Sequence, residues 1–147
     1  MIYLAAPLFN DMEKQRNEAL DATLQHHGFR TYLPQRDGGV FADESAGETS
    51  PAQLRTRIFT ADIHAVKSCD ILLFLFDGRV PDEGACFELG MAYALGKRCI
   101  GLKTDARSFI DGYDNIMLSE SLEAMFYEMD ALLAHLKHTS AHGGIAR

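Results

Sequence analysis

Asp70-Ile71-Leu72-Leu73-Phe74-Leu75-Phe76 is the stretch that decides the fold. After its leading aspartate it is apolar at every position, and it is only long enough for a strand. A strand with one wet face alternates polar and apolar residues. A continuous run marks a strand covered on both faces, which is the central strand of a parallel sheet. Upstream lies a helical segment, 51–68, with Ser50 suited to cap it and Pro51 to its first position. Residues 35–50 are rich in Gly, Asp, Glu and Ser, and their length suggests an active-site lid as readily as a surface excursion. Phe29–Leu33 reads as a short strand ended by Pro34, residues 11–27 as a helix stopped by Gly28, and Met1–Ala6 as a buried strand closed by Pro7. Downstream come the loop Asp77–Pro81, a helix from Glu83 to Leu95 with Gly96 as its stop, and the strand Arg98–Leu102. A polar loop at 103–114 follows, then Asn115–Leu118 as a short fifth strand and Ser121–Lys137 as a closing amphipathic helix.

This alternation predicts an α/β fold of the flavodoxin-like, doubly wound type. It has about five mostly parallel strands and helices on both faces. One domain is expected over 1–138, with a flexible tail at 139–147. Ligands of such folds bind outside the carboxyl ends of the strands. Here those ends carry residues 6–10, 34–37, 77–82 and 103–115.

Composition narrows the chemistry. The chain has 147 residues, 47% of them hydrophobic and 24% charged, as expected for one soluble domain. A net charge of −7 argues against nucleic acid or an anionic membrane as partner. No apolar run is long enough to span a bilayer, and no basic segment precedes an apolar one as in a signal peptide. Cys69, Cys86 and Cys99 have no metal-ligand spacing and read as free thiols, so a cytoplasmic location and no metal are expected. His135, His138 and His142 read as solvated positions rather than ligands.

Two carboxylates stand out. On a helical wheel of 83–96, Ala85, Leu89, Ala92, Tyr93, Leu95 and Gly96 share a face, and Glu88 falls inside it. A carboxylate on a core-facing stripe is costly unless paired, hydrogen-bonded or put to use. Proximity to the helix N-terminus favours its ionised form, as a nucleophile requires. In the helix 51–68, Asp62 sits in the stripe of Leu54, Ile58, Ala61, Ala65 and Val66. Asp82 precedes the helix that carries Glu88. The plain alternatives are a buried ion pair for Glu88, a stripe-edge salt bridge for Asp62 and a helix cap for Asp82. Carboxylates converging at a strand end suit glycoside chemistry, in which one attacks the anomeric carbon and another assists the leaving group.

The chain resembles the nucleoside 2-deoxyribosyltransferase family. The resemblance rests on Ile2-Tyr-Leu-Ala-Ala-Pro-Leu-Phe9, on Asp62-Ile-His-Ala-Val-Lys-Ser-Cys-Asp70, and on Pro81-Asp-Glu-Gly-Ala-Cys-Phe-Glu-Leu-Gly90. It continues through Ala94-Leu-Gly-Lys97 and Asp114-Asn-Ile-Met117. It implies Glu88 as the nucleophile toward C1′, forming a glycosyl-enzyme ester, with Tyr3 orienting it. It implies Asp62 and Asp82 as acids that contact the base and support its departure, and Phe9 as packing for the base. Asn115 and Met117 match residues lent by a neighbouring subunit, the asparagine to the sugar 5′-hydroxyl. Taken as core or turn residues, Tyr3, Phe9, Asn115 and Met117 would need no such role.

The resemblance thus implies retaining transfer of 2-deoxyribose between a 2′-deoxynucleoside and a free nucleobase. It also implies slow hydrolysis on the side, no cofactor, a place in nucleotide salvage, and a homo-oligomer with shared sites. The nearest alternative is a 2′-deoxynucleoside 5′-monophosphate N-glycosidase on the same fold. That enzyme needs a phosphate pocket, and the turn after the first strand, Ala5-Ala-Pro-Leu-Phe-Asn-Asp11, has neither Gly nor Ser to build one. A more distant alternative is a nucleotide-sensing module without catalysis, which leaves Glu88 unexplained.

Overall fold

The computed structural model describes residues 1–38, 50–77, 80–104 and 114–142. Five strands, β1 (Ile2–Ala5), β2 (Thr31–Tyr32), β3 (Ile71–Leu75), β4 (Arg98–Leu102) and β5 (Ala124–Phe126), form one sheet in the order β2-β1-β3-β4-β5. Every pairing is parallel. The helices are α1 (Asp11–His26), α2 (Pro34–Asp37), α3 (Pro51–Ser68), α4 (Glu83–Ala94), α5 (Ile116–Ser119) and α6 (Met129–His142).

β3 is buried at all five positions, as its unbroken apolar run requires. Alternate strand residues feed two separate cores. Ile2, Leu4, Leu73 and Ile100 pack with Leu20 and Leu24 of α1 and with Leu132 and Leu136 of α6. Tyr3, Ala5, Leu72, Phe74 and Cys99 pack with Ala65 and Val66 of α3 and with Ala85, Leu89 and Ala92 of α4. The sheet is therefore doubly wound, and Tyr3 belongs to the α3–α4 face. The strand order reverses direction between β1 and β3, where folds of this order hold their ligands.

Helix boundaries follow from local chemistry. Asn10 and Glu13 form a reciprocal capping box at α1, and Ser50 with Gln53 forms another at α3. Gly28 (φ 85°) and Gly96 (φ 68°) follow α1 and α4 in the left-handed region that other residues avoid. Buried Asn17 of α1 donates to the Pro7 carbonyl (2.8 Å) and to Gln35 (3.1 Å), which ties the segments after β1 and β2 to one helix.

Four expectations are corrected. Asn115–Leu118 is not a strand: the Asn115 side chain accepts from Met117 N (2.9 Å) and caps the short helix α5. Short apolar runs do not separate helix from strand by periodicity alone. Residues 121–137 are not one helix. β5 intervenes, because the free edge of β4 takes a parallel partner there, with Lys103 N bonded to Phe126 O at 2.8 Å. The closing helix begins at Met129 and runs to His142, through positions 139–142 assigned above to the tail. Nor is the second strand as long as Phe29–Leu33, since Pro34 opens the helical turn α2. Most of the 35–50 segment read as a lid lies at 39–49, outside the described residues, as do 105–113 and 143–147. No helix among the described residues is long and apolar enough to cross a membrane.

Candidate active site

Two tyrosines at one level of the sheet organise the site. Tyr3 of β1 and Tyr32 of β2 are register partners, so their side chains rise from the same face side by side. Their rings stack with centroids 5.3 Å apart and planes 12° from parallel. Each hydroxyl donates to a carboxyl from a different helix. Tyr3 donates to Glu88 of α4 (2.7 Å), and Tyr32 donates to Asp62 of α3 (2.9 Å). Tyr3 is fully buried, whereas Glu88 and Asp62 are half-buried at the rim of the α3–α4 core.

The structure thus brings together Glu88, Tyr3 and Asp62, three of the residues singled out in the sequence. Tyr32 was missed. Its signal was a second strand tyrosine just before Pro34, and its relevance needed the pairing of β2 with β1, which the sequence does not state. Asp82 is the N-cap of α4, its side chain accepting from Ala85 N at 2.7 Å, so the capping role holds. It is also near enough for its charge to act on Glu88. Asp82→Ala is expected to cost about 1 kcal/mol of stability and Asp82→Asn almost none. Thermal unfolding of the pair checks this, and any activity lost in the asparagine variant then reports on the charge rather than the cap.

Phe9 (74% exposed) lies in the turn between β1 and α1, and Met117 (77% exposed) lies on α5 beside the equally solvent-facing Asn115. No described hydrogen bond joins these three to the paired carboxyls. His135 is not simply solvated, because it meets Glu123 at 3.2 Å and packs against Phe126.

The electrostatics depart from the expectation for Glu88. Burial is the main cause that pushes its carboxyl from the ordinary 4.5 up to about 8. The Tyr3 hydrogen bond opposes this, and the charges of Asp62 and Asp82 add to it. The helix dipole does not reverse this, since Glu88 stands in the second turn of α4 and the dipole effect fades beyond the first. An ion pair would have lowered the value, and among the described residues the partner of Glu88 is a phenol. Burial likewise raises the carboxyl of Asp62, against the hydrogen bond from Tyr32. Both tyrosines are pushed up, by burial first and then by the carboxylates they serve, so they stay protonated and act as donors. Together they form an acidic pocket edge in which carboxyls from two helices stand close together, each held by a phenol donor, an arrangement suited to glycoside chemistry.

Comparison with known proteins identifies the family to which this fold belongs. The family model described as nucleoside 2-deoxyribosyltransferase matches residues 2–146. A nucleoside deoxyribosyltransferase of Limosilactobacillus fermentum is 28% identical over 127 residues, which is 82% of this chain and 75% of that protein. Among solved structures, a 2-deoxyribosyltransferase of Bacillus psychrosaccharolyticus superposes with a TM-score of 0.75 at 25% identity, covering 90% of this chain and 89% of its own. A CMP N-glycosidase of Clostridium botulinum shares the fold at a TM-score of 0.55 and 21% identity, covering 92% of this chain and 97% of its own. With its whole sheet and its paired carboxyls inside the matched span, the chain belongs to the nucleoside 2-deoxyribosyltransferase family.

Proposed function

We propose that this protein transfers 2-deoxyribose between nucleobases, with Glu88 as the nucleophile. The observation that carries the reading is the Tyr3–Glu88 hydrogen bond at the sheet's switch point, with Asp62 and Asp82 beside it. In the first step an oxygen of ionised Glu88 bonds to C1′ as the bond from C1′ to the base nitrogen breaks. The departing base takes a proton from a neighbouring carboxyl, Asp62 or Asp82. In the second step an incoming base attacks C1′ from the face the first one left, the ester breaks, and the proton returns. Water in place of the second base gives slow hydrolysis. Two inversions retain the configuration at C1′. Phe9 packs on the base.

Asn115 and Met117 serve the site of a neighbouring copy, so the working unit is a homo-oligomer. The support for this is surface chemistry. Phe87, Tyr93, Leu95, Ile116 and Met117 are all exposed on or around α4 and α5, and single exposed apolar residues are ordinary where such a group is not.

The turn after β1 favours free nucleosides over 5′-monophosphates. A phosphate subsite there would need open backbone N–H groups at the start of α1. The N–H groups of Phe9 and Asn10 face the Glu13 carboxylate (2.8 and 3.3 Å), and Glu13 N is taken by Asn10. A carboxylate already holds the place a phosphate would need.

The test is a chromatographic exchange panel over four deoxynucleoside donors and several free bases, with deoxyinosine plus adenine set against dIMP alone. The expected result is deoxyadenosine formation and little release from dIMP. Release of hypoxanthine from dIMP without any transfer would overturn the reading in favour of a monophosphate glycosidase. Binding of nucleosides without base release would favour a non-catalytic module.

A further inference from the structure

Asp62 offers its two oxygens to different surroundings. Oδ1 accepts the Tyr32 hydroxyl at 2.9 Å, and it is also the oxygen beside Gly38, where an added Cβ would stand 3.1 Å away. That same Cβ would come within 2.6 Å of the Pro34 carbonyl, so the end of α2 closes over this side and leaves no room for a side chain. Oδ2 has no hydrogen-bond partner among the described residues. Tyr32 is itself fixed, by its place on β2 and by its stack on Tyr3.

We propose that Tyr32 is a positioning residue for the transfer reaction: by donating to Oδ1 it confines the carboxyl proton of Asp62 to Oδ2, where the departing base collects it. This rests on the functional reading above and assigns the acid role to Asp62. A neutral carboxyl has one hydroxyl and one carbonyl oxygen, and a donor seated on Oδ1 makes Oδ1 the carbonyl. Tyr32 is a dependable donor because its hydroxyl holds its proton well beyond the ordinary range. As the bond between C1′ and the base breaks, the proton moves from Oδ2 to the base nitrogen and Asp62 becomes a carboxylate. The Tyr32 hydrogen bond is then charge-assisted and stronger than in the ground state, which favours the transition state selectively. In the second half the incoming base returns its proton to Oδ2. Among the described residues, Tyr3 on β1, Asp37 on α2 and Glu88 on α4 act on this pair, and Arg55 of α3 lines the same pocket as Asp62.

Tyr32→Phe keeps the ring and the stack and removes only the donor. The expected result is a fall in kcat of about 10- to 100-fold with KM changed less than about threefold, the value of a hydrogen bond that strengthens in the transition state. The loss should be largest for bases that leave worst, because they depend most on the proton. In parallel, the Asp62 carboxyl, followed by 13C NMR with Asp62→Asn as assignment control, should titrate at higher pH in the variant. Equal loss for every leaving base would mark a merely structural role and overturn the proposal, as would an unchanged kcat or an unmoved Asp62 titration. If the native protein exchanges and releases no base at all, the functional reading fails. The NMR comparison then still decides whether Tyr32 governs the Asp62 proton.

Discussion

Glu88→Gln is expected to abolish base exchange, by at least about 10³-fold in kcat, and at the same time to make the protein harder to unfold in alkali. The first effect follows from losing the nucleophile while keeping its shape, since an amide oxygen accepts the Tyr3 hydroxyl as a carboxylate does. The second follows from linkage. The carboxyl holds its proton up to about pH 8 in the folded chain but only to about its ordinary 4.5 when unfolded. With respect to this group, stability is greatest below pH 4.5, falls as pH rises, and has lost its full share above pH 8. That share is roughly 3 to 5 kcal/mol. Glutamine has no charge to bury, so the variant should match the native protein at pH 4.5 and exceed it at pH 9. Denaturant unfolding at the two pH values measures the difference. Near-normal exchange in the variant would remove Glu88 from the nucleophile role, and equal stabilities at pH 9 would contradict the burial of an uncompensated carboxyl.

Tyr3→Phe carries the second large effect, and it is read in the pH profile. An attacking carboxyl must be ionised, so kcat/KM of the native protein should rise with pH as Glu88 ionises toward about 8 and fall where Asp62 loses the proton it gives, a bell-shaped profile. At pH 6 about one molecule in a hundred has Glu88 ionised if it titrates near 8, giving a roughly 100-fold deficit. The Tyr3 hydroxyl lowers that value by bonding the carboxylate. Removing it should move the rising limb upward by about one to two pH units, the equivalent of one hydrogen bond to a charged group. The variant should therefore be much slower at neutral pH and recover part of the loss in alkali. A limb that stays in place while the rate drops uniformly would show that Tyr3 only packs.

Glu88 was legible as an anomaly because a charged residue fell among Ala85, Leu89 and Ala92, all of which are buried. The buried face of α4 is narrower than its periodicity implies. Tyr93, Leu95 and Gly96 face solvent, which places Glu88 at the margin of the stripe rather than at its centre. The expected ionisation failed for a related reason: periodicity reports which side a residue faces but not how much water is removed from it. Asp62 was read from the same kind of stripe, and its partner turned out to be a phenol rather than a cation. Tyr32 escaped notice because its meaning lies in register. Nothing along the sequence sets it beside Tyr3 until β2 pairs with β1. The misreading after residue 114 has the opposite cause, since α5 and β5 are too short for a period to show, and the edge of β4 decides where the chain pairs.

β2 is an edge strand of two residues, joined to the sheet through Ile2↔Thr31 and Tyr3↔Tyr32. The donor that serves Asp62 therefore rides on the shortest strand of the sheet, at its edge, while Tyr3 sits on an inner strand. Such short edges open by local fluctuation at far lower free energy than the whole domain. Warming is therefore expected to loosen Tyr32 from its stack while β1, β3 and β4 remain paired, so exchange should fall off below the temperature at which the core melts.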